Sequence, residues 1–305
     1  MFSFVSITLT QLRSFLAVVR SGSVTAAADA LVVTQPSVSA AVLALSREVG
    51  ITLLEREGRG VRPTPAGHVF AAYAADVIGL LDQGRRAARE AEESSALALS
   101  IAAVTTAAES FVPPLMQAFT ASHEQIGLRL EVGNRDRVLA MVLGHEADLA
   151  IGGRPPSDRR IEAHAILANE LVLIAAREDP LAGRRAVSWE ELAGRRWLLR
   201  EPGSGTRAVN EEFLTSAGID AQTMTLGSNG AIKQAARAGL GVSFVSRAAV
   251  ATELEAGLLS VIDVASGPAP RDWYVMRSSV GPSRPVVTEF LVFITSSSAR
   301  SVLEA

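Results

Sequence analysis

Apolar residues near the start of the chain recur at three- and four-residue steps from Leu9 to Val19, with polar side chains between them. This spacing predicts an amphipathic helix. Ser21-Gly22-Ser23 ends it, and Ser23 can cap a second short helix over residues 24–31. Because that second helix is rich in alanine, we expect the two helices to pack closely.

A third helix is predicted to open at Thr34-Gln35-Pro36 and to run to about Val49. Threonine is a good N-cap, and proline is tolerated in a first turn, where its missing N–H would bond nothing. Three apolar residues share one face and should pack on the first helix: Val38, Val42 and Leu45. Helix, short helix, tight turn and helix form the arrangement in which the last helix enters a major groove.

The outward face of the third helix supplies the candidates for reading bases, namely Gln35, Ser37, Ser39 and Ala40. Glutamine can bond an adenine edge through two hydrogen bonds, serine can serve either edge, and an alanine methyl can touch a thymine methyl. A generic three-helix domain that binds other proteins remains the alternative interpretation of this segment.

Residues 51–64 contain two short extended pieces around Gly58 and Gly60 and predict a small β-hairpin, or wing. The chain has a net charge of −3, yet residues 1–66 hold six arginines against four carboxylates. The basic end of this segment can meet phosphates, and it consists of Arg56, Arg59 and Arg62. Because Lys233 is the one lysine, phosphate contacts would have to come from arginine.

In their order along the chain, these residues resemble the LysR-type transcriptional regulators. The matching pieces are Leu12 to Phe15, Gly22-Ser23 with Ala27-Ala28, Thr34-Gln35-Pro36-Ser37-Val38-Ser39, Leu53-Leu54-Glu55-Arg56, Arg59 and Thr64-Pro65-Ala66-Gly67. The resemblance implies a winged helix-turn-helix domain over residues 8–66 that binds double-stranded promoter DNA. Its DNA contacts are then Thr34, Gln35, Pro36, Ser37, Ser39, Ala40, Arg56, Arg59 and Arg62. The chain departs from the family at Ala40, Ala41 and Ala44, near which many members carry arginine or lysine.

Residues 67–94 predict a long linker helix whose apolar positions come close to a heptad stripe: Phe70, Tyr73, Val77, Leu80, Gly84, Ala87 and Ala91. A helix lying on its own domain would show a similar pattern. The resemblance favours a dimer paired through this helix, and a tetramer built from two such dimers. Ser94-Ser95 is the expected hinge.

From Leu97 onward, strands alternate with helices, which predicts parallel sheets covered on both sides. Ligands of such sheets sit at the carboxyl ends of strands, beside helix N-termini. Two hydroxyl-rich segments follow predicted strands and open helices: Thr105-Thr106 and Ser204-Gly205-Thr206. Together they could hold a carboxylate or a phosphate, although ordinary helix caps would look the same.

This half resembles the effector-binding domain of the same family, a periplasmic-binding-protein-like pair of α/β lobes. The matching pieces are Asp148-Leu149-Ala150-Ile151, Glu201-Pro202-Gly203-Ser204-Gly205-Thr206-Arg207 and Gly239-Leu240-Gly241-Val242-Ser243. The resemblance implies an effector domain over residues 95–305, with one lobe at 95–168 and 271–298 and the other at 169–270. A strand over Trp273–Met276 should return to the first lobe. The effector would be a small anionic metabolite, and Gly152 and Asn229 are added to the predicted pocket.

Composition narrows the remaining function classes. The chain contains no cysteine, which excludes disulfides, thiolate nucleophiles and cysteine-ligated zinc. Its histidines are scattered without ligand spacing, so we expect solvated side chains, no metal and no cofactor. No run of 18 apolar residues and no secretory signal is readable, which favours a cytoplasmic protein without a membrane partner.

An enzyme is the main competing class. A phosphate-binding loop needs Gly-Lys, and Lys233 follows Ile232. Gly203-Ser204-Gly205-Thr206-Arg207-Ala208 fits a loose dinucleotide pattern, but the next predicted strand ends without the required carboxylate. A transport-type solute-binding protein would leave the first 93 residues unexplained. We therefore expect a regulator that is not an enzyme, with RNA polymerase as a further partner.

Overall fold

The computed structural model describes residues 6–58, 60–92 and 97–303. The chain divides into two units, the first made of residues 1–93 and 143–146 and the second of residues 94–142 and 147–305. The predicted phosphate contact of Arg59 and the predicted hinge at Ser94-Ser95 lie outside the described residues.

The first unit is helical, with one small hairpin. Its elements are α1 (Leu9–Ser21), α2 (Val24–Leu31), α3 (Gln35–Val49), β1 (Leu54–Glu57), β2 (Gly60–Pro63) and α4 (Pro65–Glu92). The three predicted helices, the wing and the long helix are confirmed. Val38 and Leu45 on α3 are fully buried, as their spacing predicts; Leu45 packs in one cluster with Phe15 of α1 and Val38 in another with Val18 of α1.

Short-range hydrogen bonds define the ends of these helices. The Thr8 hydroxyl accepts from the Gln11 amide, and the Gln11 side chain accepts from the Thr8 amide at 2.7 Å, which forms a capping box before α1. The Thr34 hydroxyl accepts from the Ser37 amide at the start of α3. Gly22 and Gly50 end α1 and α3 in the left-handed conformation that glycine adopts without strain.

The wing and the long helix are fixed to each other at Thr64-Pro65-Ala66-Gly67. The Thr64 hydroxyl donates to the Thr52 carbonyl at 2.8 Å and accepts from the Gly67 amide at 3.0 Å. A Cβ on Gly67 would lie 1.9 Å from the Leu53 carbonyl oxygen, so only glycine allows this approach. The segment that resembles the family is therefore a joint between β2 and α4.

Helix α4 has two apolar faces. Phe70, Ala74 and Ile78 pack against the core of the first unit, with the Phe70 ring centroid 5.7 Å from that of Phe15. A second face is exposed and repeats every four residues: Val69, Tyr73, Val77 and Leu81. The predicted stripe mixed the two faces, because Phe70 belongs to the inner face and Tyr73 and Val77 to the outer one.

The second unit consists of two lobes. The chain builds β3 (Ala98–Val104), α5 (Thr105–Ser110), α6 (Val112–Thr120), β4 (Gly127–Gly133), α7 (Arg135–Leu143), β5 (Leu149–Gly152) and β6 (Ile161–Asn169) in the first lobe. It then builds β7 (Leu171–Ala176), α8 (Trp189–Leu192), β8 (Trp197–Arg200), α9 (Gly205–Ser216), β9 (Thr223–Leu226), α10 (Asn229–Arg237), β10 (Ser243–Ser246), α11 (Ala251–Glu255) and β11 (Leu259–Ile262) in the second. It returns to the first lobe with β12 (Arg271–Ser278), α12 (Pro285–Ile294) and α13 (Ser297–Leu303).

Parallel and antiparallel strand pairs both occur, which corrects the prediction of parallel sheets. Five strands lie in the order β4-β3-β5-β12-β6, and β3 is parallel to β4 and β5. Strand β12 is antiparallel to β5 and β6 because it enters the sheet on its way back from the second lobe. In the second lobe, β8 and β9 are parallel, while β7 is antiparallel to β10 and β11. The predicted return of the chain at Trp273–Met276 is confirmed.

One buried ion pair ties the returning segment to the first lobe. Arg284, ahead of α12, donates to the Asp148 carboxylate at 2.5 Å and to the Ala98 carbonyl at 3.0 Å. The same carboxylate accepts from the Ser100 amide at 2.9 Å. Both charged side chains are almost fully buried, so their charges must be paired. This explains the aspartate in Asp148-Leu149-Ala150-Ile151.

The histidine prediction is wrong for one residue. His145 is buried in the first unit, with its Nε2 atom 3.2 Å from the Asp76 carboxylate. Among residues 6–58, 60–92 and 97–303, no group of three or more histidine and acidic side chains is placed to hold a metal ion. In those ranges no single helix is long and apolar enough to cross a membrane, though two bent pairs, α2 with α3 and α12 with α13, meet that length and composition together.

Val32, which follows α2, should lower stability through its backbone. Its φ of 56° and ψ of 46° are left-handed, a conformation that costs a residue with a side chain roughly 1–2 kcal/mol and a β-branched one at least as much. Since Val32 is 90% exposed, its side chain gains little in return. Val32→Asn should raise the free energy of unfolding by about 1 kcal/mol, measured by denaturant titration of the full-length protein. Val33→Asn, next to it and also exposed, is the control; equal effects would contradict the strain.

Candidate functional site

A cleft of about 340 Å³ separates the two lobes of the second unit. Its walls are built from the segments that follow the carboxyl ends of four strands: Thr105-Thr106 after β3, Asn134-Arg135 after β4, Gly153-Arg154 after β5, and Arg200 with Ser204–Thr206 after β8. The volume suits a small metabolite, and the location is where α/β sheets bind ligands.

The hydroxyls predicted in this cleft do not act as helix caps. Ser204 occupies the N-cap position of α9, but its side chain makes no capping hydrogen bond. Thr106 lies inside α5, and its hydroxyl accepts from Asn229 Nδ2 at 2.9 Å. The amides at the start of α9 have no acceptor within the helix. The cleft therefore presents hydroxyls and amide donors that a cap would have used.

Positive charge dominates the cleft. Four guanidinium groups line it, from Arg135, Arg154, Arg200 and Arg271, against the single lining carboxylate of Glu212. That carboxylate is 2.6 Å from Arg271. Within the described ranges the exposed Arg154 side chain has no acidic partner, and Arg135 has only the Asp136 carboxylate at 3.9 Å. An anion bound here would supply the missing counter-charge.

Arg200 is the buried cation of the cleft, with a side chain only 5% exposed. Its guanidinium donates to both Glu201 carboxylate oxygens, at 2.7 and 2.9 Å, and to Asn229 Oδ1. Burial raises the pKa of the Glu201 carboxyl, but the hydrogen bonds from Arg200, the Glu201 amide and the guanidinium charge together hold that pKa below its usual value. The Glu201 carboxylate therefore stays ionised at neutral pH.

Hydrogen bonds cross the cleft from one lobe to the other. Besides the Asn229–Thr106 bond, the Asp136 amide donates to the Gly203 carbonyl at 3.3 Å. Gly203 has a φ of +83°, and a Cβ there would lie 2.8 Å from the Asp136 carboxylate. The left-handed backbone favours glycine at this position, whereas the exposed Asp136 side chain could move away from a Cβ.

Five of the seven predicted effector-binding residues line the cleft: Thr105, Thr106, Ser204, Gly205 and Thr206. The other two do not. Gly152 lies within β5, where a Cβ would meet Val104 and Met276, and the next residue, Gly153, faces the cleft. Asn229 is buried behind the wall, where it joins Thr106 to Arg200.

Sequence reasoning missed several polar residues that line the cleft: Asn134, Arg135, Arg154, Asn169, Arg200, Glu212, Ser246 and Arg271. Asn134-Arg135 and Gly153-Arg154 follow strands, so the rule that located Thr105 could have found them. Asn169 is 8% exposed, and its side-chain oxygen is buried without a hydrogen-bond partner among the described residues. Such an amide is costly unless a ligand or water bonds it.

The helix-turn-helix surface in the first unit carries the other predicted site. Gln35, Pro36, Ser39 and Ala40 are exposed on α3. Ser37 is exposed too, and its hydroxyl is 2.7 Å from that of the cap residue Thr34. On the wing, Arg56 is exposed and has no acidic partner among the described side chains. Arg62 lies 2.8 Å from Glu55 and 3.4 Å from Glu57, so its charge is shared within the hairpin.

A winged helix-turn-helix unit and a two-lobed unit with a cationic cleft together define a ligand-responsive DNA-binding protein. Residues 9–68 match the bacterial regulatory helix-turn-helix family of the LysR type, and residues 92–299 match the LysR substrate-binding domain. The chain belongs to the LysR family of transcriptional regulators.

Similar proteins support this assignment. The RuBisCO operon transcriptional regulator of Allochromatium vinosum is 38% identical over 96% of this chain and 97% of its own length. The regulatory domain of Synechocystis PCC6803 CcmR, solved in complex with 2-PG, is 31% identical and has a TM-score of 0.62 over 65% of this chain and 95% of that one. Full-length CbnR, solved with its target DNA, shares the fold at 22% identity and a TM-score of 0.58, covering 94% of this chain and 98% of its own. The expectation of a regulator rather than an enzyme is confirmed by the named family.

Truncation of two asparagines near the cleft should change stability by very different amounts. Asn229→Ala removes the bond to Thr106 and one acceptor of the buried Arg200 charge, so the free energy of unfolding should fall by about 2–3 kcal/mol. Asn169→Ala is the matched control, because its side chain makes no hydrogen bond in the described structure and should change stability by well under 1 kcal/mol. Denaturant unfolding of both variants measures this, and an equal loss would contradict the network.

Proposed function

We propose that this regulator binds promoter DNA through α3 and the wing, and that a small anion bound in the cleft changes its DNA occupancy. The observation that supports the ligand half is the excess of positive charge in the cleft, where Arg135 and Arg154 are little compensated while Arg200 and Arg271 are paired with carboxylates. A ligand shifts an equilibrium only by its difference in affinity for two states. The effector should therefore contact both lobes, for example Arg154 in the first and Ser204 in the second.

In the DNA half of the proposal, α3 lies in the major groove with Thr34 and Pro36 at its start. Gln35, Ser37, Ser39 and Ala40 contact base edges. Arg56, Arg59 and Arg62 contact phosphates. The ion pairs of Arg62 do not oppose this role, since exposed ion pairs contribute about 0–1 kcal/mol and are easily exchanged for a phosphate.

Removing Arg56 should weaken binding to every DNA sequence by a similar factor, because a phosphate contact carries no sequence information. In Arg56→Ala, the slope of log affinity against log salt should become shallower by about one. Fluorescence anisotropy with a set of unrelated duplexes at several salt concentrations measures both. Arg89→Ala, an exposed arginine near the end of α4, should leave the slope unchanged. A change in base preference in Arg56→Ala would contradict the phosphate role.

As the effector, we propose a compact anion such as a phosphorylated acid. The first probe is 2-PG, the ligand in the CcmR structure. A phosphate or carboxylate can accept from the α9 amides, from Ser204 and Thr206, and from the Arg154 guanidinium. The Allochromatium vinosum relative is named as a regulator of a RuBisCO operon, and we propose a target of that kind for this protein.

Arg154→Gln should weaken 2-PG binding at least tenfold in isothermal titration calorimetry, since a hydrogen bond to a charged group contributes about 1.5–3 kcal/mol. Arg159→Gln is the matched control, because Arg159 is an exposed arginine five residues away that does not line the cleft. If Arg154→Gln binds 2-PG as tightly as the unmodified protein, Arg154 is not an effector contact.

The proposal includes assembly into dimers through α4 and into tetramers. The exposed face of Val69, Tyr73, Val77 and Leu81 supports pairing with a second copy, because apolar residues at four-residue steps on a solvent-facing helix need a partner. Two paired chains would present two α3 helices to one stretch of DNA. Contact with RNA polymerase at the promoter completes the proposal.

A further inference from the structure

One exposed face of α3 is apolar over two turns. Pro36, Ala40 and Leu43 follow one another at four- and three-residue steps, so they form a narrow stripe along the helix that ends at Arg47. Leu43 is 54% exposed in the middle of the helix and packs in none of the hydrophobic clusters of the first unit. A single exposed leucine is common on protein surfaces, so the feature to explain is the row of three exposed apolar side chains along one face of the helix.

The charge pattern of α3 is equally distinctive. The helix has 15 residues, and its first charged side chain is Arg47, the thirteenth. The first three turns thus contain no arginine or lysine, the side chains that read guanine through its O6 and N7 atoms. Gln35, beside the stripe, has the amide that pairs with the N6 and N7 atoms of adenine.

The apolar stripe matches one feature of the major groove. The 5-methyl group of thymine is the apolar group that base pairs display there. We propose that Leu43, with Ala40 beside it, recognises thymine 5-methyl groups, so that the half-site of this regulator is read as A·T pairs, adenine by Gln35 and thymine by the stripe. This inference rests on the proposed entry of α3 into the major groove.

Deoxyuridine gives a direct test, because it pairs with adenine as thymine does but lacks the methyl group. A binding motif is first selected with the full-length protein from a random-sequence duplex library. Each thymine of the motif is then replaced singly by deoxyuridine, and affinities are measured by fluorescence anisotropy at fixed salt. Losing one buried methyl contact should weaken binding about three- to fivefold at one or two positions in each half-site.

Leu43→Ala should bind the thymine and deoxyuridine duplexes equally at the position that Leu43 contacts, which is the coupling expected in a double-mutant cycle. Ile51→Ala is the matched control, because Ile51 is 55% exposed, lies in the same unit and is outside α3, so its variant should keep the full deoxyuridine penalty. Since Leu43 is exposed, Leu43→Ala should fold normally, as its thermal unfolding will report.

Each outcome has one meaning. A selected motif that tolerates deoxyuridine at every thymine overturns the thymine-methyl inference and leaves the proposed DNA interface intact. A deoxyuridine penalty that persists unchanged in Leu43→Ala overturns the role of Leu43. A library that yields no enriched motif contradicts the proposed interface itself, and the inference with it.

Discussion

The burial of the Arg200 charge is the constraint on which the cleft between the two lobes depends. A buried guanidinium is tolerated only when its charge and its N–H groups are satisfied. Glu201 supplies the charge, Asn229 supplies an amide oxygen, and the other end of that amide reaches Thr106 in the opposite lobe. Satisfying one charge thus fixes the end of β8, the start of α10 and a contact across the cleft.

The same constraint shapes the electrostatics around it. Because Glu201 is committed to Arg200 and Glu212 to Arg271, the carboxylates nearest the cleft are already engaged. Arg135 and Arg154 then face the cleft with little compensation. The cleft thus combines two paired cations, the buried Arg200 and the partly exposed Arg271, with two that are little compensated.

The sequence predicted the elements that local chemistry determines. Ser23, Thr34, Pro36 and the glycines at the helix ends act on their own backbone, and the start of α2, the bounds of α3 and the end of α9 followed from them. Strand β6 was missed because it is a half-buried strand at the edge of the sheet, where alternation is weak. The mixed sheet directions were missed because β12 pairs with strands more than a hundred residues earlier.

The cleft was predictable only in part for a similar reason. Thr105-Thr106 and Ser204–Thr206 stand out because they combine hydroxyls with a strand-to-helix junction. Asn169 and Arg271 do not, since each has its role only through the path of the chain between the lobes. Asn229 was predicted to lie near the cleft, and in the structure its side-chain oxygen accepts from Arg200 behind the cleft wall.

The close approach of Gly67 to Leu53 has a consequence for spacing on DNA. Because α4 starts in fixed contact with the wing, its outer apolar face has a set angle and distance from α3. In a dimer joined through α4, the separation of the two reading helices is then a property of helix geometry, not of a tether. One added residue before Val69 would turn that face by about 100° and advance it by about 1.5 Å. The number of residues between the wing and this apolar face would therefore set the distance between the two half-sites.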